Sequence, residues 1–155
     1  ARLQRMKAAQ AAGGRNRAAA TLLRVVGIGI ETAELLAGEI LERGFGGRRG
    51  LARYAGLTGS PDESGAKRRE KGLARTGNGR VRRAMLELAW RCLVHQKGSG
   101  LVRWFEARTA GPSGARKTRM IVAMARKLLI ALWRLVETGE VAHGLKLRPA
   151  DAQPA

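Results

Sequence analysis

Seven apolar residues between Val81 and Leu93 constrain the fold of this chain more than any other stretch. Val81, Ala84, Met85, Leu88, Ala89, Cys92 and Leu93 recur at intervals of 3, 4, 7, 8, 11 and 12 from the first. That spacing lines one face of a 3.6-residue helix, whereas a half-buried strand would repeat every second residue. A second set predicts a long helix over Lys117 to Thr138, with Ile121, Ala125, Leu128, Leu129, Leu132, Leu135 and Val136 on one face and Gly139 ending it. Apolar residues reach 45%, much of it Ala and Leu, while aromatics are only 4%. With few β-branched runs, this composition predicts an all-α fold in one domain.

The remaining elements follow from breakers. Ala1 to Ala12 reads as the end of a coiled-coil-like connecting helix over 1–15, broken at Gly13-Gly14. The chain opens in the middle of this pattern, and is expected to be the carboxy-terminal part of something longer. A helical domain over 16–147 follows, then a disordered tail over 148–155. Asn16 to Val26 is predicted helical, and the chain turns at Gly27-Ile28-Gly29 into a helix from Glu31 to about Arg43. The pattern over 22–36 resembles a helix-hairpin-helix. Its glycines permit a tight turn, and backbone amides at Gly27, Ile28 and Gly29 could hold a phosphate oxygen; a purely structural turn remains the other reading. Short helices are expected over Arg48 to Tyr54 and Leu101 to Thr109, with a basic loop or short hairpin over Ser64 to Thr76.

Charge points to the partner. The net charge is +18 with a pI near 11.7, an excess that implies a polyanion, nucleic acid first. A membrane surface is disfavoured, since no basic helix carries a broad aromatic face and no apolar run approaches the roughly 18 residues of a span. Cys92 stands alone, which rules out an internal disulfide and fits a reducing, cytoplasmic setting. His95 and His143 are far apart and aspartate occurs only at 62 and 151, so no metal site is legible.

The stretch Gly56 to Met85 concentrates the charge. From Lys67 to Arg83, Lys67, Arg68, Arg69, Lys71, Arg75, Arg80, Arg82 and Arg83 face one acid, Glu70. Just ahead of them Ser64 precedes Gly65 in a loop rich in Gly, Ser and Pro. Cations cannot take the proton of a serine, but they can stabilise charge on a phosphoryl transition state. On the residues alone, a surface serine beside solvated charge is the plainer reading.

Blocks along the chain change that weighting. LLRVVGIGIETAELLAGEI, then RRGLARYAGLTGSPDESGAKRREKGLARTGNGRVRRAMLELAW, then RWFEART and IVAMARKLLIALWRLVETGEV resemble the helical carboxy-terminal domain of transposases of the insertion-sequence one-ten family, its one-one-one-one subgroup included. Order and spacing agree from Leu22 to about Leu147. The resemblance implies that Ser64, the serine of the family's S-G pair, is the nucleophile that attacks a DNA phosphate and forms a transient 5′-phosphoserine link. It implies a RuvC-like acidic domain that carries Mg²⁺ and lies outside this chain, so no recombination is expected of this chain alone. The implied partners are double-stranded DNA, a guide (bridge) RNA and further copies of the full-length protein, in a bacterial, nucleoid-associated setting.

Two competing readings stand beside this one. The chain could be a non-catalytic helix-hairpin-helix nucleic-acid-binding module, or an architectural domain whose charge serves solubility.

Overall fold

The computed structural model describes residues 2–41, 45–58, 77–111 and 114–149, and these are helical with no named strand. The elements are α1 (Arg2–Leu23), α2 (Ile30–Leu36) continuing as a π-helical turn (Ala37–Leu41), α3 (Arg48–Tyr54), α4 (Gly79–His95), α5 (Gly100–Thr109) and α6 (Gly114–Thr138). The all-α expectation holds.

Helix α6 is the centre of the packing, in contact with α1, α3, α4 and α5. The reason is its sequence. Ile121, Met124, Ala125, Leu128, Leu129, Ala131, Leu132 and Leu135 are buried, a stripe wide enough to serve neighbours on two sides. Across from it α4 buries Val81, Met85, Leu88, Ala89 and Cys92, the face that its spacing predicts. Gly139 closes α6 at a positive φ of 76°, its amide bonded to Leu135 O at 2.9 Å.

The amino-terminal end differs from expectation. Gly13 and Gly14 do not break a helix; α1 runs straight through them. Each costs about 1 kcal/mol relative to alanine, which good helix formers on both sides outweigh. The helix also stops earlier than Val26, because a distant segment competes for that backbone. Val25 forms an isolated antiparallel bridge with Leu147, and the Val26 amide donates to Lys146 O at 3.0 Å. Leu22, Val25 and Ile28 are buried, whereas Leu3 and Met6 at the far end of α1 stand exposed.

The carboxy-terminal strap, residues 140–149, thus locks the turn between α1 and α2. Arg148 donates its amide to Arg24 O at 2.6 Å and its guanidinium to Leu23 O, with a longer bond to Ile28 O at 3.4 Å. The remaining tail, 150–155, lies outside the described residues.

Candidate nucleic-acid interface

The described residues on either side of the serine-bearing segment lie together in the fold. Ser64, Lys67, Arg68, Arg69, Lys71 and Arg75 lie outside the described residues, and the two ends that flank 59–76 lie within them. On the outgoing side Leu57 is buried and its amide bonds Ala52 O at 3.0 Å. On the returning side the Asn78 amide donates to Tyr54 O at 2.6 Å. Gly77, at φ 126°, passes so close that a Cβ would meet Tyr54 O at 2.8 Å and Gly56 N at 2.9 Å. Only glycine fits there, for both reasons.

Asn78 then does three jobs with one side chain. Its Oδ1 caps α4, accepting from the amides of Arg80 at 3.0 Å and Val81 at 3.2 Å. Its Nδ2 donates to Glu39 Oε2 at 2.9 Å and Tyr54 OH at 3.3 Å. Glu39, in the π-helical turn, uses its other oxygen to pair with the Arg80 guanidinium at 3.2 Å. Tyr54 is held in turn by Phe45, the ring centroids 5.6 Å apart. The π-helical turn after α2, the end of α3 and the start of α4 therefore meet at the neck of the loop, and sequence reasoning assigned none of Glu39, Tyr54 and Asn78 a place in the site. The one local signal was Asn ahead of an amphipathic run.

Beyond the neck, α4 and its cap line an open, shallow groove of about 690 Å³. Arg80, Arg82 and Arg83 line it with Leu86, Glu87 and Trp90. The structure thus brings together the three arginines that the sequence put at the start of this helix. A neighbouring groove of about 400 Å³ is lined by Arg15, Glu31, Glu34, Glu39 and Arg80, so Arg80 stands between a cationic and an acidic surface.

The turn at Gly27, Ile28 and Gly29 is placed apart from the neck, beside the end of α4. Gly27 has φ 104°, and a Cβ there would approach His95 Cβ at 3.2 Å. Ile28 is buried and its amide already donates to Val25 O at 3.1 Å. Gly29 is exposed and leads into α2. Gly27 is thus close against His95, and the Ile28 amide is used within the turn itself.

No three His, Cys, Asp or Glu side chains come together to hold a metal ion among the described residues. The described residues alone do not fit a Mg²⁺ site. Among the described residues, no helix is long and apolar enough to cross a membrane. Cys92 is buried in α4, and burial pushes its thiol up to about 11 despite Arg91. It is a packing residue in a closed interior, with no thiolate to offer.

Comparison with known proteins identifies a family. Residues 19–102 match the family model described as transposase, IS116/IS110/IS902 family. A protein of Sinorhizobium fredii named "Putative transposase y4rJ" is 42% identical over 132 residues, which cover 84% of this chain and 33% of that protein. The chain thus spans about a third of the length of this relative. No solved structure matches it. The matched residues run from the second half of α1, across the loop neck and the arginine groove, into α5, and this chain belongs to the IS116/IS110/IS902 family of transposases.

Proposed function

We propose that this chain is the DNA-binding, serine-bearing part of a transposase, and that the neck at Tyr54, Gly77 and Asn78 presents Ser64 to a DNA phosphate. The observation that carries this reading is the shared position of the neck and the arginines. Ser64 lies in segment 59–76, which is followed in sequence by Gly77 and Asn78 at the amino terminus of α4, where Arg80, Arg82 and Arg83 line a groove. In the proposed step Ser64 Oγ forms a bond to phosphorus and loses its proton. The bond to the 3′-oxygen breaks, leaving a 5′-phosphoserine and a free 3′-hydroxyl once that oxygen is protonated. Lys67, Arg68, Arg69, Lys71 and Arg75 would offset the charge that builds on the phosphoryl oxygens.

The metal belongs elsewhere in this proposal. The described residues offer no set of carboxylates for Mg²⁺, so the acidic domain that the family resemblance implies would supply it. Double-stranded DNA as substrate, a guide RNA, self-assembly of the full-length protein and a nucleoid location belong to the same proposal.

The test uses the full-length protein with its guide RNA, Mg²⁺ and end-labelled DNA. A covalent protein–DNA adduct is expected with Ser64 and lost with Ser64→Ala. An adduct that survives Ser64→Ala would remove the serine from the mechanism. A non-catalytic helix-hairpin-helix module instead predicts no adduct in either protein and binding that depends on Gly27, Ile28 and Gly29. The placement of Gly27 and Ile28 against His95 and Val25 makes that the weaker reading.

A further inference from the structure

Helix α4 carries an outward-facing aromatic side chain that packing does not account for. The other tryptophans, Trp104 and Trp133, are partly buried against the core, and Trp104 lies under Arg108 and Lys127, each 4.8 Å from its ring. Trp90 is different. It is 45% exposed and lines the arginine groove. Arg83, Glu87 and Trp90 follow one another at spacings of four and three, so they share one face of the helix. Arg83 and Trp90 are two turns apart, roughly 10 Å along the axis.

We infer that Trp90 is a stacking platform for an unpaired base whose strand lies in this groove, its phosphates toward Arg82 and Arg83. This rests on the reading of α4 as a nucleic-acid surface and adds to it the state of the strand. Three features favour an unpaired nucleotide over the other occupants of an exposed tryptophan. The groove is cationic along one end and aromatic at the other, the combination that holds a single strand by backbone charge and base face together. Leu86, between Arg83 and Trp90 in the sequence, adds an apolar side chain to the lining. Glu87, the one acid among the lining residues, sits on the Trp90 side and repels phosphate there. Phosphates are thereby directed to the arginine end and a neutral base to the indole. A duplex keeps its bases stacked on each other and offers none to Trp90, so the preference is for a melted or displaced strand.

The experiment measures binding by this chain of a fluorescent short oligothymidylate, of the same backbone made abasic, and of a blunt duplex. Wild type, Trp90→Phe and Trp90→Ala are compared, with thermal melts as the folding control. Loss of one base–aromatic stack is expected to weaken oligothymidylate binding by roughly tenfold or more in Trp90→Ala. Trp90→Phe should restore affinity to within a few-fold, while the abasic strand and the duplex should not distinguish wild type from Trp90→Ala. Equal binding of oligothymidylate by all three proteins would overturn the inference. So would an equal loss on the abasic strand, which would make Trp90 a structural residue or a docking point for protein. Failure of the nucleic-acid reading itself looks different: wild type would then bind none of the three with a steep dependence on salt.

Discussion

Gln96 and Lys146 hydrogen-bond each other twice although 50 residues separate them: the Lys146 amide donates to Gln96 Oε1 at 2.8 Å, and Gln96 Nε2 donates back to Lys146 O at 3.0 Å. The same Nε2 donates to Val26 O at 2.8 Å. Gln96 is fully buried at the end of α4 and there takes the place of a paired strand. It joins the turn between α1 and α2 to the carboxy-terminal strap, an arrangement that fixes three loops with one amide.

Replacing that amide should therefore cost more than a surface glutamine would. Gln96→Leu leaves the Lys146 amide and the Val26 carbonyl without these partners, at about 1–3 kcal/mol for each buried group left unsatisfied. The expected fall in melting temperature is roughly 5–15 °C for a domain of this size. Denaturant melts check it, and a change under about 1 kcal/mol would mean that water replaces the side chain.

The loop neck makes a sharper prediction. Aspartate ordinarily caps a helix as well as asparagine does and favours its amino terminus electrostatically. Asn78→Asp should nonetheless destabilise the fold near neutral pH, because Nδ2 is a donor to Glu39 and a carboxylate there would face another at 2.9 Å. Asn78→Ser, which keeps an acceptor for the cap and adds no charge, should cost about 1 kcal/mol or less. Melts of both variants as pH is lowered supply the check: Asn78→Asp should recover part of its loss as one of the two carboxylates protonates.

What could be read from the sequence was what neighbours in the chain decide. The expected bounds of α3 match those observed, and the apolar spacing of α4 and α6 predicts the faces that are buried. Distant pairings escaped. Nothing near Val25 signals Leu147, so the end of α1 was misplaced, and nothing near Glu39 signals Asn78. Gly13-Gly14 misled because helix propensity is a weak prior, summed over a window in which alanine and arginine prevail. The cluster of Arg80, Arg82 and Arg83 was legible because neighbours in the chain share the start of one helix. The meeting of Glu39, Tyr54 and Asn78 was not, since it depends on three helical elements coming together.

Cys92 gives a pH signature. Its thiol is neutral in the fold up to about pH 11 because burial disfavours the thiolate, whereas the unfolded chain ionises near its ordinary value. A folded pKa above the unfolded one means that stability is full below the unfolded value. It is then lost as pH rises toward the folded value. Between about pH 9 and 11, wild type should lose roughly 2–3 kcal/mol relative to Cys92→Ala. The comparison with Cys92→Ala cancels the titration of lysines, which both proteins share. Parallel pH profiles for the two proteins would show that the thiol is reached by water in the folded state.

Arg80 and Arg83 should differ in how they affect DNA binding, although both line the groove. Arg80 is held by Glu39 at 3.2 Å, in an exposed pair that contributes at most about 1 kcal/mol to folding. Any phosphate that Arg80 contacts must compete with that carboxylate. Glu39→Gln removes the competing charge but keeps an oxygen for Asn78 Nδ2, so it should tighten DNA binding a few-fold and leave the fold nearly unchanged. Arg83→Gln removes a groove cation outright and should weaken binding, lowering the slope of log K against log salt by about 0.9 for each phosphate it no longer neutralises. Titrations of this chain with duplex DNA across about 50–200 mM salt separate these effects. If Glu39→Gln leaves affinity unchanged while Arg83→Gln lowers it, Arg80 is a structural brace at the loop neck, and the phosphate path runs along Arg82 and Arg83 alone.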